Sequence, residues 1–218
     1  MPKNIAGNES ASVLIPGYTT LYKLIEEEVK NLKSNQLDWT SSKFDWSEWS
    51  IRRQIGHMTS LLYRWMFIRC GELLDPNKDH DIDNLEALAM SNYDRSVDEN
   101  IFADFNLLLS KLREGIGLAS KILENHPVHY MKNETVEYNL GPHWSIMIKA
   151  HPTGFNFSQD PSQGKMSLEA VFRHMYFEEI THLYNIQRLK RAQNLPTISN
   201  IPKVGYWILE EWDRSEAI

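Results

Sequence analysis

Apolar residues recur at helical spacing along four long stretches of the chain. Side chains three and four positions apart lie on the same face of a helix, so this spacing predicts amphipathic helices. The predicted helices cover residues 19–34, 50–74, 96–124 and 167–193. Ser50 and Ser167 stand at the starts of two of them, where a serine hydroxyl can accept a backbone N–H group of the first turn.

One region alternates between apolar and polar positions instead, which is typical of β-strands. The alternating apolar residues lie on either side of Gly141-Pro142 and are Val136, Tyr138, Leu140, Trp144, Ile146 and Ile148. Because a Gly-Pro pair favours a turn, the pattern predicts a small β-hairpin or an ordered loop. We place it within an insertion of residues 134–165, before the last long helix.

Together these elements predict a single domain over residues 1–218. Four long amphipathic helices bury their apolar faces by packing against one another, so the expected fold is an all-α four-helix bundle. Residues 1–16 are expected to form a loose N-terminal arm, and residues 200–218 a tail that packs on the bundle. Metal sites in bundles lie between facing helices and use inward-pointing histidines and carboxylates.

Composition and charge exclude several classes of protein. The net charge of −6 argues against a nucleic-acid-binding surface, which is usually basic. The single cysteine, Cys70, fits a reducing compartment, and we expect it to be a small buried apolar residue. No apolar run approaches the roughly 20 residues that cross a bilayer, and the N-terminal pattern is not that of a signal peptide. The expectation is a cytoplasmic protein without nucleic-acid or membrane partners.

The last predicted helix carries metal-binding types of side chain at intervals of four residues. These are His174, Glu178 and His182. Neighbouring members of the series can reach one ion, because positions four apart stack on one helix face. His174 and His182 are about 12 Å apart along the axis, so we do not expect all three to bind the same ion. An ordinary solvated face would show the same spacing.

A partner for this series is available on the second predicted helix. His57 lies midway along it, beside the apolar face, and is the natural third ligand. A lone histidine in such a place is more often a hydrogen-bonded core residue than a ligand. His143 and His151 lie in the insertion, where histidines are usually solvated, so a role in the site is the weaker interpretation for both.

Two segments resemble motifs of the DinB-like family. The first is Trp49-Ser50-Ile51 followed by His57, which is similar to that family's second-helix motif. The second runs from Glu178 through His182 to Leu189 and is similar to its fourth-helix segment. The order of helices and motifs agrees along most of the chain.

This resemblance implies an up-down-down-up four-helix bundle with one divalent metal ion near one end. His57 and His182 take the positions of two family histidines, whereas Glu178 stands where the family commonly has a third. A carboxylate favours harder ions, and Zn, Ni, Mn and Fe all remain candidates. The departure also leaves open that the site has lapsed or that His174 compensates.

The resemblance further implies a function. Three protein ligands leave open positions, as a catalytic site needs. The implied activity is a metal-dependent transferase or isomerase that uses a thiol cofactor or acts on a thiol-reactive small molecule. A metal-dependent hydrolase is a close alternative. A stress-associated, non-catalytic bundle that binds a metal or small ligand is another, and we expect a homodimer. No catalytic residue besides the metal ligands is predicted.

Overall fold

The computed structural model describes residues 7–74, 82–139, 141, 144–157, 160 and 163–217. Within them lie the helices α1 (Tyr18–Val29), α2 (Ser34–Leu37), α3 (Ile51–Tyr63), α4 (Gly71–Leu74), α5 (Leu85–Ala89), α6 (Phe105–Asn125), α7 (Val128–Asn133), α8 (Trp144–Met147) and α9 (Leu168–Ala192). The strands are β1 (Thr135–Asn139), β2 (Phe155–Phe157) and β3 (Gln163–Ser167). None of the helices in this part of the chain has both the length and the apolar composition needed to cross a bilayer.

The prediction of an all-α four-helix bundle with up-down-down-up order is wrong. The chain is mostly helical, but short helices accompany the long ones, and a three-stranded antiparallel sheet with the order β1-β3-β2 stands where a hairpin or loop was predicted. Alternation of apolar residues marks extended backbone but does not choose the partner strand. The second half of the alternating pattern lies in α8 and the 3-10 turn after it, so β1 pairs with the distant β3 instead.

Gly164 allows β3 to be the central strand of this sheet. It lies opposite Tyr138 of β1 and Phe157 of β2. A Cβ at this position would lie 2.2 Å from the carbonyl oxygen of Asn156 and 2.8 Å from the Tyr138 hydroxyl. Only a glycine lets the neighbouring strands approach this closely.

The second and third predicted helices also differ from the prediction. The helix predicted over 50–74 changes from α3 into a π-helical segment, Arg64–Arg69, before α4. The Cys70 N–H group donates to the Trp65 carbonyl at 3.0 Å, five residues back. The third helix begins after an Asp104 cap, not near residue 96. Apolar spacing does not reveal a π turn, because one widened turn shifts the pattern by a single residue.

Two helix starts agree with the sequence, and both belong to the helices that carry the predicted metal ligands. The Ser50 hydroxyl accepts the Arg53 N–H group at 3.2 Å, and the Ser167 hydroxyl accepts that of Ala170 at 3.2 Å. Between these helices lies the centre of the core. Its fully buried side chains include Ile51, Ile55, Met58 and Leu62 of α3 and Met175, Ile180, Leu183 and Ile186 of α9. Each contributes about 1.5–3 kcal/mol through burial.

The segment after α9 folds back along that helix. Its short 3-10 helix, Gly205–Ile208, contacts α9 and buries Tyr206 completely. The Trp207 ring stacks on Tyr184 of α9, with 4.3 Å between centroids. Gly205 has a φ of 69°, and a Cβ there would lie 2.5 Å from the Phe177 ring. Glycine is therefore required to bring Tyr206 against α9.

A buried ion pair joins α1 to α9. Glu28 is fully buried, and Lys190 Nζ donates to its carboxylate at 2.6 Å and to its carbonyl at 2.7 Å. The same carboxylate accepts the backbone N–H groups of Ile198 and Ser199 at 3.0 and 2.8 Å. This carboxylate therefore fixes the chain beyond α9 as well as the two helices.

Removing the cation leaves that carboxylate buried without its charged partner. We expect Lys190→Met to lower the free energy of unfolding by about 3–5 kcal/mol, as measured by urea unfolding. Lys23→Met is the matched control, because Lys23 is 76% exposed and only 3.8 Å from Glu27. It should cost at most about 1 kcal/mol. Equal losses of unfolding free energy in the two variants would show that the buried pair contributes no more to stability than an exposed one.

Candidate metal centre

His57 of α3 meets Glu178 and His182 of α9 between the two helices. One potential ligand atom from each residue lies within 4.8 Å of the other two. The Glu178 Oε2 atom is 3.5 Å from His182 Nε2, and the two imidazole centroids are 4.6 Å apart. Ligand atoms around a tetrahedral ion are about 3.4 Å apart at the bond lengths of zinc. The separations in the triad reach up to 4.8 Å, so the side chains must move closer together to bind one ion.

Hydrogen bonds at Nδ1 orient both imidazole rings. His57 Nδ1 donates to the Arg95 carbonyl at 2.8 Å, and His182 Nδ1 donates to the side-chain oxygen of Gln54. Because both partners are acceptors, each ring has a proton on Nδ1, and Nε2 is the nitrogen that can bind a metal ion when the ring is neutral. Histidines that bind metals are typically held in this way. The donor set therefore fits a divalent ion.

The two acceptors come from places that a helical pattern does not single out. Gln54 lies one turn before His57 on α3, where its side chain is buried. Arg95 lies in the loop between α5 and α6 and has a φ of 52°. Such a backbone conformation is uncommon for residues other than glycine and is often found at functional sites.

The electrostatic environment keeps His57 and Glu178 in the forms that bind metal. Burial holds the pKa of His57 well below its usual range, and the neighbouring His182 lowers it further. Burial would raise the pKa of Glu178, but the hydrogen bond with His182 and the potential of the nearby histidines lower it to about 2. At neutral pH His57 is therefore an uncharged imidazole and Glu178 is a carboxylate, which are the forms that bind metal ions.

The adjacent Glu179 has the opposite environment. It points into the core, is fully buried, and has no hydrogen-bond partner for either carboxyl oxygen among the described residues. Burial raises its pKa well above the usual range, and the negative charge of Glu178 adds to this effect. Glu179 is therefore neutral, and Glu178 is the one of the two that brings negative charge to the site.

His174 lies beside the triad and is held by the C-terminal segment. Its Nδ1 atom is 3.9 Å from Glu178 Oε1 and 2.7 Å from the Tyr206 hydroxyl. That hydroxyl is also 2.8 Å from His151 Nε2, so one tyrosine oxygen is hydrogen-bonded to both imidazole rings. The expectation of a solvated His151 is wrong, since this side chain is 8% exposed. His143 lies outside the described residues.

Cys70 does not take part in the site. It is 1% exposed, as the sequence predicted, and burial raises the pKa of its thiol to about 12. A thiol with such a pKa is protonated at neutral pH and is a poor nucleophile.

A cleft of about 910 Å³ opens beside the triad and is lined by all three of its residues. Its aromatic walls are formed by Trp49, Trp65, Trp144 and Trp212. The Trp49 ring lies parallel to His182, at 6.2 Å between centroids, and 5.2 Å from His57. The side of the triad that faces away from α3 and α9 is thus open to a small molecule.

Loss of the Gln54 acceptor should weaken metal binding without removing a ligand. We expect Gln54→Leu to lower metal affinity 10–100-fold, a typical range for such supporting residues, in competition titrations against a chelator. Gln54→Glu is the matched variant, because it keeps an acceptor for His182 Nδ1 and should retain affinity. A Leu variant that binds metal as tightly as the wild type would contradict this role for Gln54.

His151 should make stability depend on pH. Burial, with the charges of His174 and Arg173, lowers its pKa to about 2 from 6.5. The unfolded chain therefore takes up the proton first, so this contribution is complete above about pH 6.5 and is lost as the pH falls. In His151→Asn, the slope of unfolding free energy between about pH 6 and 4 should decrease by roughly 1.4 kcal/mol per pH unit. Urea unfolding over a pH series measures it; parallel slopes would refute the assignment.

Comparison with models of protein families, with curated proteins and with solved structures finds no match to this chain. The resemblance to the DinB-like family therefore remains a prediction from two sequence motifs. The candidate metal centre rests on its own geometry: three residues that could hold an ion, two of them oriented through Nδ1, at the wall of an open cleft.

Proposed function

We propose that this protein is a metal-dependent enzyme that acts on a small molecule in the cleft beside His57, Glu178 and His182. The observation that carries the proposal is the placing of three potential ligands at the wall of a 910 Å³ cleft. Structural zinc sites usually have four protein ligands and are closed, whereas catalytic sites keep a position for water or substrate. The open side of this triad favours catalysis over a purely structural or storage role.

A divalent ion bound here would supply Lewis acidity, which lowers the pKa of a thiol or a water at its open position. The residues of the chain divide the remaining tasks. The Nε2 atoms of His57 and His182 and the carboxylate of Glu178 would hold the ion. Trp49 lies beside the two rings, with centroids 5.2 and 6.2 Å away, and would shield that side of them from water. The Tyr206 hydroxyl holds the Nδ1 side of His174, so that this ring keeps one orientation beside Glu178.

Within this class, we favour a thiol-dependent transferase or isomerase of the DinB-like type. The sequence motifs around His57 and His182 support this choice, and the buried Cys70 means that the thiol would come from a cofactor or substrate. Hydrolysis by an activated water uses the same ligands and is the alternative.

Metal content is the first test. Untagged protein purified without chelators should contain about one divalent ion per chain, measured by elemental analysis. His57→Ala, Glu178→Gln and His182→Ala should lose it, because two ligands bind a metal far more weakly than three. His129→Ala is the matched control, since His129 is exposed and its ring bonds to the Gly7 carbonyl. Circular dichroism establishes that each variant is folded.

The outcomes separate the alternatives. Wild-type protein that takes up no Zn, Ni, Mn or Fe would overturn the proposed function. Metal retained by all three ligand variants would mean that the ion binds elsewhere. Loaded protein is then assayed for transfer of cysteine or glutathione to 1-chloro-2,4-dinitrobenzene and for hydrolysis of 4-nitrophenyl acetate. A stoichiometric ion without either reaction would favour the non-catalytic binding protein.

A further inference from the structure

The cleft beside the triad has a cationic wall. Arg64, Arg69 and Arg95 all line it. Arg64 and Arg69 are the first and last residues of the π-helical segment. In an α-helix, positions five apart diverge by about 140° around the axis. The wider π turn brings them toward the same side, so a local irregularity of the helix gathers these charges at the cleft.

Most other charges at the cleft are already paired. Among the acidic residues of the lining, Glu211 pairs with Lys149, and Asp213 pairs with Arg188 at 3.0 Å. Arg95 pairs with its neighbour Asp94 at 3.3 Å. Within the described part of the chain, by contrast, no carboxylate lies within 4.0 Å of the Arg64 or Arg69 guanidinium.

The positive charges of Arg64 and Arg69 therefore have no carboxylate close by to balance them in the described part of the chain. Arg64 is only partly exposed, and burial lowers its pKa, as do the positive charges of Arg69 and Arg95. Glu178 is the charge that opposes them, and a divalent ion on the triad would neutralise it and add positive charge. Like charges held together in a cleft with low-dielectric walls attract an anion from solution.

The aromatic walls are suited to the uncharged part of such an anion. The Arg69 guanidinium lies 4.8 Å from the centroid of Trp65, which itself contacts His174 at 5.2 Å. Trp144 contacts the same histidine at 4.6 Å. Trp65 therefore links Arg69 to His174, the neighbour of Glu178, and Trp144 lies on the same histidine in the cleft wall. They would bind a flat or apolar carbon skeleton through dispersion and burial.

We propose that the cleft binds a small organic anion, a carboxylate or a phosphate monoester with an apolar body. Arg64 and Arg69 hold the anionic group, Trp65 and Trp144 contact the body, and the opposite end faces His57, Glu178 and His182. Guanidinium groups suit both anions, since they donate paired hydrogen bonds to either. The inference rests on the proposed function for the role of that opposite end, whereas the anion contact depends on the arginines alone.

Calorimetric titration tests the inference with three probes of similar shape: 3-phenylpropionate, phenyl phosphate and the neutral 3-phenylpropanamide. We expect at least one anion to bind wild-type protein and the amide to bind at least about tenfold more weakly. Arg64→Gln and Arg69→Gln should each weaken the anion about tenfold, the loss expected for one charged hydrogen-bond donor group. Arg113→Gln is the matched control, because Arg113 of α6 lies over the Tyr22 ring of α1 and is not among the residues that line the cleft.

Measuring metal content on the same samples separates the two proposals. Anion binding that depends on Arg64 and Arg69 supports the inference, with or without metal; absence of metal then overturns only the proposed function. A stoichiometric ion together with equal anion affinity in wild type, Arg64→Gln and Arg69→Gln overturns the inference and leaves the metal centre. Equal binding of the amide and the anions, or no binding of either anion, also overturns it. Preference between the two anions identifies the chemical class.

Discussion

The packing of α3 against α9 brings two imidazole rings and the Glu178 carboxylate together at the edge of the apolar core, where the side chains of His182 and Glu178 are 11% and 15% exposed. Polar groups in such a place cost free energy unless they are hydrogen-bonded. Here Gln54 and the Arg95 carbonyl satisfy the Nδ1 side of both rings. On the other side of the rings the Nε2 atoms face Glu178, and His182 Nε2 is 3.5 Å from Glu178 Oε2. The same contact that stabilises the core therefore creates a preformed set of electron-pair donors.

The C-terminal segment and the sheet complete the surroundings of that contact. Gly205 allows the chain to approach Phe177 of α9, and Tyr206 then reaches His174 and His151 from the far side. His151 is carried by the segment that precedes β2. One tyrosine hydroxyl thus ties the region of the sheet to the helix that holds two potential ligands. Its burial makes this connection rigid, because a lost hydrogen bond there could not be replaced by water.

Charge is distributed unevenly around the cleft. Glu178 is ionised while Glu179 is neutral, although the two are adjacent, because one faces histidines and the other faces the core. The π-helical segment places Arg64 and Arg69 at the same cleft. π turns are often found at functional sites, where a widened turn redirects side chains that a regular helix would separate. A divalent ion would balance the charge of Glu178, and an anion would balance those of Arg64 and Arg69.

Much of the local structure could be predicted from the chain alone. Ser50 and Ser167 mark the starts of α3 and α9 because capping depends only on neighbouring residues. The spacing of Glu178 and His182 follows from helix geometry, and apolar periodicity located the long helices. Fold class could not be predicted in this way. A strand needs a partner from elsewhere, and the pairing of β1 with β3 depends on the room that Gly164 provides.

The sequence by itself determined which residues could bind a metal, through residue type and helical spacing. Only the tertiary structure decided that His57 reaches the pair on α9 and that both rings expose Nε2. It also decided that Tyr206 joins His151 to His174 and that Arg64 and Arg69 line the same cleft. The physical reason is that these relations join residues distant in the chain, or depend on one widened helical turn. Neither long-range contacts nor a single widened turn changes the periodic pattern of apolar and polar residues in a recognisable way.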